Sequence, residues 1–584
     1  MLDDSGELVI TFNGEIYNFR DLRTELERKG HRFTSSGDTE VALKAYKQWG
    51  VDVVDRISGI FALAIWDLSR RMMFLARDPL GVKPLFYSDD GDTFRFGSEV
   101  KAILRDPNVD RSFHPEALDA FLTFGYSPAP ATGFRTVSQL LPGHSATISK
   151  NGFTSSRYWE PPYTARPREI GFDVALDEFR DLLDEVTKSQ MVSDVGIGAF
   201  LSGGLDSAAI VHSMSRAGHG RVRAFSAGMD WRGFNELQRA RSTAVKLDVH
   251  LSESTISADD ASVVPSISRH LEEPTADSSS IPMYYLSKHA RTEFKVVMSG
   301  DGADEILAGY DTYAASRLAR HYRRIPACLR RNIAVPLAHA IPNSRSNYPL
   351  SDLARRFVYA AELGPHLDHS AWRIIFNDVT KQQLYEPDFL REVADYKPLT
   401  RYASFVNEVP ESRGPLSGLL HADTAFYLPN DMLVKVDRMS MANGLEVRVP
   451  FLDAAMVRFC ANLPGQYKLK RGRIRKHILR ESLREVLPRS VLGAPKSGFN
   501  IPVDEWMRGF LRDLLFDAIE TSRHDLKRFL NIEAVIKLAN RHQSREVHSG
   551  HILFVILMFS LWLDNAARCW KPESTIAFNE SNIS

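Results

Sequence analysis

The chain has 584 residues, enough for two or more domains that each bury a full core. Its 73 Lys and Arg match 73 Asp and Glu, and the zero formal charge argues against a nucleic-acid or membrane-surface role. Three scattered cysteines (Cys328, Cys460, Cys569) make neither a disulfide framework nor a C-x-x-C zinc pattern, and Met1-Leu-Asp-Asp-Ser5 is no signal peptide; a cytoplasmic setting is expected. Residues 1–155 read as strand-rich, with short strands at 8–12, 60–66, 72–76, 93–97 and 145–149 and helices at 19–29, 39–49 and 115–122. Strands and helices interspersed in this way predict an α+β domain with antiparallel sheets.

The Pro-rich stretch Glu160-Pro-Pro-Tyr-Thr-Ala-Arg-Pro167 marks a linker over 156–172. From 173 the pattern alternates: helix 175–191, strand 195–201, a helix from about 208, strand 222–227, helix 236–247, strand 250–252, helix 282–292 and strand 294–298. This predicts an α/β domain with a parallel doubly wound sheet. Beyond 305 the chain reads as almost wholly helical. Its longest apolar run, 552–563, is too short to span a bilayer and reads as a buried helix. The basic stretch 317–331 has no aromatic stacking pattern and reads as a solvated helix face. His366 and His369, beside Asp368, read as loop histidines because no ligand-rich segment joins them.

Strand 195–201 runs into Ser202-Gly-Gly-Leu-Asp-Ser207 and then an apolar helix. Two glycines allow a tight turn and close backbone approach. The following helix points free N–H groups at the turn, making an anion seat sized for phosphate. Asp206 would not favour a bare phosphate, so it implies a bridging cation, Mg²⁺. The segment is neither a Walker A loop nor a dinucleotide fingerprint. It resembles the PP-loop of ATP pyrophosphatases; an ordinary Ser/Gly turn is the alternative. A second loop, Ser299-Gly-Asp-Gly-Ala-Asp-Glu305, follows strand 294–298. Loops after parallel strands share one sheet edge, so Asp301 and Asp304 are expected to face Asp206 across one crevice.

Further segments join these two loops. In the first half they are Phe12-Asn-Gly-Glu-Ile-Tyr-Asn18, Gly37-Asp-Thr-Glu40 and Arg77-Asp-Pro-Leu-Gly-Val-Lys-Pro84. In the second they are Glu273-Pro-Thr-Ala-Asp-Ser278, Ser299–Tyr310, Leu433-Val-Lys-Val-Asp-Arg-Met-Ser440, Glu446-Val-Arg-Val-Pro-Phe-Leu-Asp453 and Arg475-Lys-His-Ile-Leu-Arg480. In number, order and spacing they resemble the glutamine-dependent asparagine synthetases. That resemblance implies an incomplete Ntn-hydrolase-like amidotransferase domain over 1–155 and a PP-loop synthetase domain over 173–584.

The resemblance also implies roles. Leu201, Ser202, Gly203, Gly204, Ser207, Ala227, Ser299 and Gly300 would surround ATP. Asp206 and Asp304 would hold Mg²⁺. Asp301 would take a proton from ammonia, and Lys476 would stabilise negative charge. The acceptor carboxylate would attack the α-phosphorus, and ammonia would attack the resulting acyl-adenylate. Asn13 and Gly14 match an oxyanion hole, and Glu15 and Asp38 match glutamine-binding acids. Family glutaminases begin with a nucleophilic Cys; here residue 1 is Met and no Cys precedes Cys328. A late chain start and nitrogen supply from ammonia are therefore expected. The remaining partners are small molecules (aspartate, ATP, glutamine or ammonia), with a homodimer as an option. A related amidotransferase acting on a peptide or polysaccharide carboxylate, and a non-catalytic nucleotide-binding remnant, stay open at this point.

Overall fold

The computed structural model describes residues 1–218, 220–231, 236–257, 259–341, 350–493 and 501–569. The first half carries β1 (Leu8–Ile16), β2 (Gly59–Asp67), β3 (Met72–Arg77), β4 (Phe86–Asp89), β5 (Phe94–Gly97), β6 (Ser138–Gln139), β7 (His144–Ser149) and β8 (Gly152–Arg157). The antiparallel order β1-β2-β3-β7-β8 forms one sheet, and β5-β4-β6 forms a smaller one. Period-2 alternation explains how β2 can be apolar along its length. Phe61, Leu63 and Ile65 join Leu22, Leu26, Val41 and Tyr46 from the helices Phe19–Arg28 and Asp38–Trp49. Ala62 and Ala64 face the other way, into a small core with Leu75, Leu85 and Leu140. The expected strands and helices are present; β4, β6 and β8 are additional.

The second half contains β9 (Ile197–Phe200), β10 (Arg223–Met229), β11 (His250–Ile256), β12 (Val296–Met298) and β13 (Glu446–Arg448). All pair in parallel, in the order β11-β10-β9-β12-β13. The direction of winding reverses between β9 and β12, where such sheets open a ligand crevice at their carboxyl ends. β13 arrives only after the long helical excursion from 305, an element the helical reading of that region did not contain.

Besides the first half's own two cores, one apolar core runs through both halves. Phe121, on the helix Pro115–Phe124, meets Phe559 at 5.7 Å, and Phe134 meets Trp562 at 5.3 Å. Lys83 Nζ and Asp437 Oδ1 form a buried pair at 2.9 Å. Trp562 donates its Nε1–H to the Glu272 carbonyl at 2.7 Å. The expected linker is no free tether: Tyr163 is completely buried, and the Tyr158 hydroxyl donates to the Arg77 carbonyl at 2.6 Å. The next helix starts at Phe172.

The apolar run lies in the helix Gly550–Asp564, and the helical stretch Gly550–Arg568 is long and apolar enough to cross a bilayer. Most of it is buried against the rest of the protein, as a core helix would be. His366 and His369 lie in the turn before Ser370, as read, but His369 is fully buried, with Nε2 2.9 Å from Asp423 Oδ2. Arg373 also pairs with Asp423, at 2.9 Å, so this is a closed core network. In the basic stretch, Arg323 pairs with buried Asp368 at 3.0 Å and Arg330 pairs with Glu362, so part of that face is engaged rather than solvated.

Candidate active site

The loop after β9 turns at Gly203, whose φ is +75° and where an added Cβ would lie 2.6 Å from the Ala240 amide nitrogen. No side chain caps the helix Leu205–Arg216 that follows, so its N-terminal dipole faces the loop. The Ser202 and Ser207 hydroxyls lie 3.2 Å apart, and the Ser202 amide donates to Ser207 Oγ at 3.2 Å. The loop after β12 rests directly on this turn. A Cβ on Gly300 would meet the Ser207 nitrogen at 2.6 Å. Ser299 Oγ donates to Asp301 Oδ2 at 2.5 Å.

Lys476 joins the two loops. It adopts a left-handed conformation, φ +50°, and donates its amide to the Leu307 carbonyl at 3.2 Å. Its Nζ lies 2.5 Å from Asp206 Oδ2 and 2.6 Å from Asp304 Oδ1. Burial alone would push this ammonium down, but Asp206 and Asp304 outweigh it and hold the group above the ordinary lysine value. Gly309 makes room for the arrangement: a Cβ there would come within 1.8 Å of Asp304 Oδ1 and 2.1 Å of Lys476 Cε.

These groups line one cavity of about 480 Å³. It takes in every residue expected around ATP, together with Asp206, Asp301, Asp304 and Lys476. The cavity continues past Asp301 to residues not singled out from the sequence, chiefly Asp277, Tyr427, Asp431 and Lys435. Lys435 Nζ lies 3.1 Å from Asp277 Oδ2, and Asp277 Oδ1 accepts from the Ser279 amide at 2.9 Å and hydroxyl at 2.7 Å. Asp277 and Lys435 stood inside segments already matched to the family, and that was the available signal.

The four first-half candidates lie elsewhere, on and beside β1. Asn13 Nδ2 donates to Ser98 Oγ at 3.0 Å. Gly14 leaves no room for a side chain, since a Cβ would sit 2.0 Å from the Ile60 carbonyl oxygen. Asp38 accepts the Ile16 amide at 3.0 Å and is raised by burial. Burial, then the Glu446 charge, push Glu15 up to about 7. Glu15 Oε2 lies 3.3 Å from Arg448 Nη2, across the seam between the halves. Arg448 also bonds Glu446, the Gln190 and Val192 carbonyls, and, through its own carbonyl, the Ser299 amide at 2.9 Å.

A family model described as asparagine synthase matches residues 178–564, and one described as a glutamine amidotransferase domain matches residues 1–159. Glutamine-hydrolysing asparagine synthetase 1 of Bacillus subtilis is 31% identical over 578 residues, 97% of this chain and 87% of the relative. A putative glutamine-hydrolysing asparagine synthetase of Mycobacterium tuberculosis is 32% identical over 574 residues, 95% of this chain and 84% of the relative. The amidase chyE of Penicillium rubens is 24% identical over 557 residues, 87% of this chain and 79% of the relative. With its two glycine-acid loops, its fold and these matches in agreement, this chain belongs to the asparagine synthase family.

Proposed function

We propose that this enzyme is an ATP-dependent amide ligase that converts aspartate to asparagine, releasing AMP and pyrophosphate. The observation that carries the reading is the single point where Asp206, Asp304 and the Lys476 ammonium meet between two loops at the sheet's switch point. The Ser202–Ser207 turn and the helix behind it bind the phosphates of ATP. The acceptor carboxylate attacks the α-phosphorus, and pyrophosphate leaves while held by the loop. Lys476 meets the charge that develops on the phosphate oxygens. Asp301, on the second loop, takes a proton as ammonia attacks the acyl carbon.

Magnesium fits Asp206 and Asp304. Their oxygens converge on one small point, and carboxylates completed by substrate phosphates are a donor set this ion favours. Among the described residues no group of three or more His, Cys, Asp or Glu could hold a metal, so substrate oxygens would have to complete the shell. When bound, the ion supplies neutralisation of phosphate charge.

The species that attacks the acyl carbon is ammonia, whatever supplies it; residues 1–155 of this sequence place no cysteine beside the oxyanion-hole candidates Asn13 and Gly14. The test is pyrophosphate and AMP release with ATP, Mg²⁺ and aspartate, comparing ammonium chloride with glutamine. Ammonium-dependent release without glutamate formation is expected. Asp206→Asn and Asp304→Asn should each abolish it; normal turnover in either folded variant would sink the assignment of those two acids. Appreciable glutamate from glutamine would overturn the expectation that nitrogen is supplied as ammonia.

A further inference from the structure

The chain is neutral overall, yet residues 312–351 carry seven arginines and no Asp or Glu. Much of this stretch folds as the helix Asp311–Tyr322 and, after Pro326, as a helix over 327–340. One side of the second helix packs on the protein: Ala338 is buried, and Arg330 lies over the Tyr322 ring at 5.5 Å and pairs with Glu362. Arg355 Nη2 fastens its far end by donating to the Ile341 carbonyl at 3.1 Å.

The other side is apolar and faces water. Leu329, Ile333 and Leu337 recur every four residues, the spacing of one helical face, and Ile325 stands just before them. All four are between 42% and 62% exposed, and Leu318 on the preceding helix is exposed as well. The arginines around them fall into two sets. Asp368 takes up Arg323, Glu362 takes up Arg330, and Arg331 reaches the same Glu362 only at 3.7 Å. Arg317, Arg320 and Arg324 are exposed and, among the described residues, have no acid within ion-pair distance. The acid that Arg320 feels most, Asp368, is the one already held by Arg323. Arg317 carries the positive field further: it lies against Gly472, where a Cβ would meet its Nη1 at 2.0 Å, beside exposed Lys470, Arg471 and Arg473. Asp311, at the start of the first helix, is taken up by Arg475.

Aliphatic side chains held in water beside uncompensated guanidinium groups suit a helix that lies in a membrane interface. We propose that this face docks on an anionic lipid surface, its aliphatic stripe entering the headgroup boundary and its arginines meeting lipid phosphates. The helix is roughly 20 Å long, too short to cross a bilayer, so it lies flat. A second copy of the chain would set arginine against arginine, which is unfavourable. Single-stranded nucleic acid would suit the arginines, but its bases stack on rings and the stripe is wholly aliphatic. The inference stands apart from the ligase reading, because docking is read without substrates.

The experiment is co-sedimentation of the whole chain with vesicles of phosphatidylcholine, alone or with about 30% phosphatidylserine. Wild type should partition onto the anionic vesicles at least about tenfold more strongly than onto the neutral ones, and raising salt from about 0.1 to about 0.5 M should remove most of that gain. Arg320→Ser with Arg324→Ser should weaken partitioning about 25-fold, about fivefold for each arginine. Leu329→Ser with Ile333→Ser should weaken it at least about tenfold. None of these four residues lines the catalytic cavity, so circular dichroism and pyrophosphate release should match wild type in both variants. Val245→Ser, which trims an exposed side chain on the helix Leu237–Leu247, should change nothing. No preference for anionic vesicles, or undiminished partitioning by either folded double variant, overturns the proposal. So does self-association that the stripe variant abolishes, with no vesicle binding by wild type. Binding of poly(U) RNA or polyglutamate in place of anionic vesicles would overturn it too.

Discussion

Replacing Lys476 with Met keeps the apolar stem and removes only the ammonium. In the structure that ammonium makes contacts of 2.5 and 2.6 Å with Asp206 and 2.6 Å with Asp304, and its side chain is 7% exposed. Charge-assisted bonds of this kind are each worth about 1.5–3 kcal/mol. Losing one donor aimed at developing charge in a buried site costs about 3–4 kcal/mol in the barrier, or about 10²–10³ in turnover. The ground-state grip on ATP should change much less, because the loop backbone and the helix dipole remain. Steady-state pyrophosphate release at varied ATP gives both quantities, and nucleotide binding by calorimetry checks the second. Without nucleotide, the variant should also bind Mn²⁺ at least about tenfold more tightly than wild type, since two converging carboxylates lose their resident counter-charge. If ATP affinity falls as far as turnover, Lys476 is a ground-state phosphate ligand and the reasoning is wrong.

Gly309→Ala should leave the fold intact but cut activity at least about tenfold, because the new methyl occupies the space of Asp304 Oδ1 and Lys476 Cε; unchanged kcat would show that the pair can shift freely. Glu273 is held by burial at about 8 and accepts the Gly133 amide at 2.9 Å. Its folded value lies above its unfolded value of 4.5, so the stability from keeping it protonated is fully present below about pH 4.5 and is lost as pH rises through 8. Glu273→Gln should therefore raise Tm at pH 9 and do little near pH 5; a shift independent of pH would contradict this. Trp562→Ala should cost about 3–5 kcal/mol in chemical denaturation, since the ring is buried against Phe113, Phe134 and Phe559. Both halves should lose structure together; separate transitions would argue against a shared core.

The strand, turn and helix proposed to seat phosphate were legible because their signals are local. A buried strand, two glycines, two hydroxyls and an apolar helix all lie between 195 and 216, and periodicity reads such a run directly. Loop placement then followed from the parallel sheet, which brought Asp301 and Asp304 to the same crevice as Asp206. β13 was not legible. It is three residues long, two of them charged, and the strand it pairs with, β12, lies about 150 positions earlier. The far end of the cavity was hidden for a related reason: Asp431 and Lys435 share one continuous helical stretch, but Asp277 lies about 150 positions earlier, and nothing in the spacing of the chain says that it meets them. His369 lies in a turn, as its neighbours suggested, but its burial against Asp423 depends on a residue 54 positions away and could not be read locally.

Arg448 has a mechanical consequence. Its guanidinium grips Glu15 in the first half and two carbonyls after the helix Phe172–Gln190, while its backbone holds the Ser299 loop. A buried arginine tied in so many directions behaves as a rivet, not a hinge. The Lys83–Asp437 pair and the Trp562 indole are further fastenings along the same seam. Opening the halves like jaws would break all of these contacts at once, and one arginine ties Glu15 to the loop that carries Ser299.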